Sequence, residues 1–175
     1  MYILREIEKG DMLTINKWRN KKELIEYLGA PYRYINLDTD YKWYENYLNA
    51  RNNTIRCAIL SVENENENEI LGLVSLTDID MLNQKASFHI MIGDLNNRQK
   101  GIGYFASIEI LKHAFSNMNL NRIELKVLCT NTRAIKLYEK VGFKREGIMK
   151  ESIYKNGEFV DMIIMAVLKQ EYLKK

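Results

Sequence analysis

Short alternating runs and longer amphipathic stretches take turns along this chain of 175 residues. Tyr2 to Ile7 reads as a strand. Asp11 then offers an N-cap for an amphipathic helix through Trp18. Residues 19–36 are mixed, with Tyr27, Tyr32 and Tyr34 grouped around Pro31, the only proline. Asp38 is a cap candidate for a second helix, in which Tyr41, Tyr44 and Leu48 form one stripe and Trp43 and Tyr47 another. Strands are predicted at Thr54–Val62 and Ile70–Thr77. Between them, Glu63–Glu69 carries four carboxylates and no apolar anchor, which reads as a solvated hairpin loop, with a cation site as the competing reading. The second half alternates strand (Ala86–Ile92), helix (Ile102–Phe115), strand (Asn121–Leu128) and a helix from Asn131 to Gly142. The chain closes with strands Lys144–Tyr154 and Phe159–Leu168 around Asn156-Gly157, a strong two-residue hairpin signal. A meander, then alternation, then a hairpin predicts one α+β domain over residues 1–175: a mixed, mostly antiparallel sheet of about seven strands flanked by about four helices.

Arg98-Gln99-Lys100-Gly101-Ile102-Gly103-Tyr104 joins a predicted strand to a predicted helix. Such a turn gathers unpaired N–H groups and the positive end of a helix dipole at one spot, and its glycines let backbone approach a ligand closely. Arg98 and Lys100 add positive charge. This is an anion site suited to a pyrophosphate, with an ordinary tight turn as the alternative. Further on, Asn131 and Tyr138 stand seven residues apart, nearly two helical turns, and so share a face.

Together these runs resemble the GNAT superfamily of acyl-CoA-dependent N-acetyltransferases. Its pyrophosphate signature, Gln/Arg-x-x-Gly-x-Gly/Ala, is matched by Arg98, Gly101 and Gly103. Its later signature, Asn-x-x-Ala-x-x-x-Tyr-x-x-x-Gly-Phe, is matched by Asn131, Ala134, Tyr138, Gly142 and Phe143. The likeness spans nearly the whole chain and is strongest to the branch holding ribosomal-protein N-terminal, spermidine and amino-sugar acetyltransferases. It implies a GNAT-like sheet, acetyl-CoA as cosubstrate with no metal, and acetyl transfer to a primary amine by direct attack. On the resemblance, acetyl-CoA would lie along Ile90, Met91 and Ile92, on Arg98, Gln99, Lys100, Gly101, Ile102, Gly103 and Tyr104, and against Asn131, Lys136 and Tyr138. An oxyanion donor would be a backbone N–H near Met91.

Tyr138 is the family's general-acid position; a phenol, with an ordinary pKa near 10, carries a proton for a departing thiolate at neutral pH. A core tyrosine is the competing reading. The base is less defined, because Ser87 stands where relatives often carry a strand glutamate. His89 lies on the same strand face, two residues on, and can accept a proton directly or through water; a histidine bonded against a covering helix is the alternative. His113 reads as structural.

Between Lys17 and Tyr34 there are five basic and two acidic residues. That balance disfavours a polyamine and suits an anionic acceptor such as a nucleotide-linked amino sugar, with Trp18, Arg19, Asn20, Tyr32 and Arg33 as its contacts and Tyr154 and Asp161 within reach. The alternatives are a ribosomal-type protein N-terminus, a polyamine, or a module that binds acyl-CoA without turnover. A dinucleotide oxidoreductase also fits Gly101-x-Gly103-x-x-Ala106 with Glu124, but the preceding meander and the position of Glu124 within a strand argue against it. The net charge of +3 is too small to point to nucleic acid. No apolar run reaches membrane-span length and the N-terminus lacks signal-peptide features. Cys57 and Cys129 in strand-like runs read as buried reduced thiols of a cytoplasmic protein. A homodimer is left open.

Overall fold

The computed structural model describes residues 1–62, 70–94 and 100–174. The Glu63–Glu69 loop, with its hairpin and cation readings, lies outside the described residues, as do Arg98 and Gln99. The strands are β1 (Tyr2–Glu6), β2 (Ile55–Ser61), β3 (Ile70–Asp80), β4 (Lys85–Ile92), β5 (Arg122–Leu128), β6 (Lys144–Lys155) and β7 (Glu158–Leu168). They form one seven-stranded sheet in the order β1-β2-β3-β4-β5-β7-β6. Every neighbouring pair is antiparallel except β4 and β5, which run parallel and register only from Lys85/Arg122 to Ser87/Glu124.

The helices are α1 (Met12–Arg19), α2 (Lys22–Ile25), α3 (Leu37–Asn49), α4 (Ile102–Lys112), α5 (Thr132–Val141) and α6 (Lys169–Leu173). The two short ones, α2 and α6, are additions to the four expected from sequence. They have too few residues for a helical period to show. α4 and α5 cover one face of the sheet, over Ile123, Val127 and Ile163. α1, α2 and α3 belong to a second apolar cluster with Ala58 and Leu60. Among the described residues no helix is long and apolar enough to cross a membrane.

Local chemistry corrects several expected boundaries. Asp11 precedes α1, but its side chain does not cap that helix; it accepts two bonds from Arg5 at 2.9 Å and the Glu8 N–H at 2.7 Å. The cap of α3 is Asn36, whose side chain accepts from the Thr39 N–H at 3.0 Å, so Asp38 falls inside the first turn. β3 runs on past Thr77 through a bulge at Asp78, where φ is +51° and the register against β4 shifts between Thr77 and Asp80. After Lys112 the fourth helix widens into one π turn, His113–Asn117, which leaves His113 exposed. The Asn156-Gly157 turn has φ of +53° and +92°, the left-handed pair that matches the twist of a two-residue hairpin.

α1 is tied to α3 through Asp40, which is fully buried. Arg19 is its ion-pair partner, and the Asn16 amide donates to it at 2.7 Å. A buried carboxylate needs such partners, and truncating one member of the pair leaves an uncompensated charge. Asp40→Ala is therefore expected to cost about 3–5 kcal/mol, read as a lower urea midpoint with an unchanged m-value.

Candidate active site

A cavity of about 920 Å³ opens where β4 and β5 separate and reaches both faces of the sheet. Its walls come from β3, β4 and β5, the start of α4, one side of α5 and the segment after α2.

The gap begins beyond Ser87/Glu124, the last registered pair of β4 and β5. Gly93 donates its N–H to Leu71 O on β3 at 2.9 Å. Alternation back along the registered strand turns the peptide groups of Met91 toward β3 and those of Ile90 and Ile92 toward the gap. An N–H aimed into the cavity thus comes from Ile90 or Ile92, and not from Met91, which contributes its side chain to the lining. An unpaired strand edge of this kind can take up an extended amide chain as a further strand would.

Gly101 caps α4 with φ of +81°, a conformation that glycine adopts without strain. The orphan N–H groups of the helix start, with Ile102, Gly103 and Tyr104, line the cavity beside it. A Cβ at Gly103 would come within 3.0 Å of the Leu137 side chain, so a small residue lets α4 and α5 close on each other. Lys100 stands next to this turn, where its carbonyl accepts from the Tyr2 hydroxyl at 3.1 Å. Lys136 is exposed and does not line the cavity; Arg133 and Lys140, one turn to either side, do. Lys140 Nζ sits 4.8 Å from the centre of the Tyr104 ring. This half fits a pantetheine–pyrophosphate chain: an open strand edge, then a glycine-capped helix start flanked by cations.

Asn131 caps α5 by accepting from the Ala134 N–H at 3.1 Å, and its amide donates to Tyr27 O at 3.0 Å. One side chain therefore joins the two halves of the cavity. Tyr138 is 8% exposed and packs edge-on against Phe88 and Phe143. Burial pushes its pKa up to about 12. Its hydroxyl has no hydrogen-bond partner among the described residues. It is also not among their buried orphan atoms, so it keeps access to the cavity it lines.

On the opposite face of the sheet the lining is polar. His89 Nε2 lies 3.0 Å from Thr77 Oγ1, and the Thr77 hydroxyl donates to Asp78 Oδ2 at 2.9 Å. Because that hydroxyl has a single proton, the network assigns Nε2–H as donor to Thr77 and leaves Nδ1 as the basic nitrogen. Burial and, to a smaller degree, Arg56 push the His89 pKa below its ordinary value, while Asp78 opposes them. The imidazole retains an exposed face but stands on the cavity wall beside Arg56 and Asp78. Ser87 is registered with Glu124, which places a carboxylate on the neighbouring strand. Glu124 pairs with Arg122 at 3.0 Å, and Arg122 also grips Glu146.

The five residues expected to contact the acceptor do not line this cavity. Trp18 is 6% exposed, with its indole over Gly93 in the core. Arg19 is held by Asp40. The Asn20 side chain pins the chain at Ile35, accepting its N–H at 3.0 Å and donating to its carbonyl at 2.8 Å. Tyr32 donates to Asn20 O and borders a separate small depression, and Arg33 is exposed. Tyr154 and Asp161 also lie outside the cavity; Asp161 pairs with Lys150 at 2.8 Å. In place of these, α2 and the segment after it present Leu24, Tyr27 and Gly29. It is fastened to the closing hairpin by Lys155, whose ammonium donates to the carbonyls of Ile25, Leu28 and Ala30 at 2.8, 2.8 and 3.0 Å. Among the described residues no cluster of three or more His, Cys, Asp or Glu is placed to hold a metal ion.

The sequence model of the Acetyltransferase (GNAT) domain matches residues 2–144. The chain is 30% identical over 173 residues to a spermidine N(1)-acetyltransferase of Vibrio cholerae, covering 98% of this chain and 95% of that protein. An L-amino acid N-acetyltransferase of Escherichia coli is 36% identical over 84 residues, 48% of this chain and 51% of that protein. The crystal structure of spermidine N-acetyltransferase from Vibrio cholerae in complex with CoA and spermine superposes with a TM-score of 0.89 at 27% identity, over 98% of both chains. The family match over most of the chain and the full-length likenesses agree with the fold described above, and the chain belongs to the GNAT family as an acetyl-CoA-dependent N-acetyltransferase.

Proposed function

We propose that the acceptor is a polyamine-type cation, acetylated on a primary amine. The observation that carries this reading is the pair of carboxylates, Asp78 and Glu124, in a lining that also carries Arg56 and Lys126. The bulge at Asp78 brings a carboxylate to the cavity wall, and Glu124 adds a second from β5. A chain of ammonium groups can pair with such carboxylates while one terminal amine reaches the gap between β4 and β5. The full-length likeness to a spermidine acetyltransferase supports the same class. The reading of an amino-sugar nucleotide rested on Trp18, Arg19, Asn20, Tyr32 and Arg33, none of which lines the cavity.

In the proposed reaction acetyl-CoA supplies a thioester carbonyl, which the amine nitrogen attacks. The N–H of Ile90 or Ile92 stabilises the negative charge that develops on the carbonyl oxygen. His89 takes the proton lost by the nitrogen at Nδ1, directly or through water. As the C–S bond breaks, Tyr138 gives its proton to the sulfur. Burial keeps that phenol protonated across the physiological range, at some loss of driving force for the transfer.

Acetyl-CoA consumption with spermidine, a UDP-linked amino sugar and an N-terminal peptide separates the acceptor classes. Spermidine is expected to give the highest kcat/KM, and a clear preference for the nucleotide sugar would overturn the polyamine reading. Tyr138→Phe preserves the ring packing and removes the proton; kcat is expected to fall about a hundredfold with acetyl-CoA affinity nearly unchanged. Asp78→Asn is expected to raise the KM for spermidine about tenfold, the worth of one charge-assisted hydrogen bond, and to raise the KM for a simple monoamine much less. Both are measured by steady-state thiol release.

A further inference from the structure

Arg56 lies on β2, and the sheet registers Arg56 with Ser75 and Ser75 with His89. The three therefore form one cross-strand row on a single face, and all three line the acceptor half of the cavity. Its guanidinium carbon stands 4.7 Å from the centre of the Trp43 ring. Nε is a buried donor with no hydrogen-bond partner, the single such side-chain atom among the described residues, and the group forms no ion pair with a described residue. A desolvated arginine is ordinarily given a bidentate carboxylate; here Asp78 acts on it through the field without forming an ion pair.

We infer that Arg56 is a positioning residue whose unpaired charge holds the His89 imidazole in its neutral, proton-accepting form. The inference rests on the reading of His89 as proton acceptor. The groups that face His89 are Arg56 from β2, Thr77 and Asp78 from β3, and, past the last registered pair at Ser87, Glu124 and Lys126 from β5. Thr77 fixes the ring by its hydrogen bond, and Asp78 pulls toward the imidazolium. Arg56 opposes it, and burial works in the same direction as Arg56. Without Arg56, Asp78 would act unopposed by that cation and the ring would hold its proton to higher pH. The direction is fixed by sign: a cation removed from beside a base raises the pKa of that base.

The chain has two histidines, so His89 can be followed by NMR with exposed His113 as the internal reference. Arg56→Gln is expected to raise the His89 midpoint by about half to one pH unit, the effect of one unit charge across a partly hydrated cavity. Asp78→Asn should lower it, and neither change should move His113. The acid limb of kcat/KM for spermidine should shift upward with the Arg56→Gln midpoint, and activity should recover at high pH. Arg56→Lys, which keeps the charge, should restore the wild-type limb. An unmoved His89 midpoint in Arg56→Gln would overturn the inference, as would a loss equal at every pH or a rise in acceptor KM with the limb unshifted. His89→Gln tests the underlying reading separately. If it keeps kcat and its acid limb, His89 is not the proton acceptor, while the titration still decides what Arg56 does to the ring.

Discussion

β4 and β5 stay registered for three residue pairs, and past Ser87/Glu124 the strands part. The peptide groups of Ile90 and Ile92 then lack the sheet partner that a continuous ladder would supply. An unmet backbone donor or acceptor inside a protein is costly, so the gap has to be finished by water or by a bound chain. Most of the surrounding architecture bears on that opening. α4 and α5 cover one face of the sheet, α1 and α3 pack on the other, and β7 completes β5 along its far edge. The cofactor half and the acceptor half meet at this break because it connects the two faces.

The acid and base proposed for the reaction differ in how they are held. Tyr138 sits among aromatic rings whose contacts fix its plane, and its hydroxyl is left for the cavity. His89 has a polar tether through Thr77 to Asp78, and that tether passes through a backbone bulge. A non-glycine residue at φ of +51° carries strain that the sheet on both sides must hold in place. The bulge aims a carboxylate that a regular strand would direct elsewhere.

The elements repeated in the chain's own pattern were readable without coordinates: the strand and helix order, the Asn131 cap, the Gly101 turn and the Asn156-Gly157 hairpin all carry local signals. The acceptor half carried few. Arg56, Asp78 and Glu124 come together through the registers of β2 with β3, β3 with β4 and β4 with β5, and no spacing in the sequence encodes such an encounter. The excess of basic residues from Lys17 to Tyr34 is not carried into the cavity, because charge along the chain is not charge at one place in the fold. Arg19 is neutralised by Asp40, which lies 21 positions downstream. Lys136 and Lys140 differ by about one turn, and the orientation of α5 alone decides that the second faces the cavity.

Asn131 belongs to two walls of the cavity at once. Its oxygen holds the first turn of the helix that carries Tyr138, and its amide nitrogen holds the carbonyl of Tyr27 in the segment that walls the acceptor. Any replacement loosens the two walls together, so kinetic constants for acetyl-CoA and for the amine should covary at this position. The same linkage constrains sequence drift: the acceptor wall can change its side chains freely, provided that the Tyr27 carbonyl remains where a helix cap can reach it.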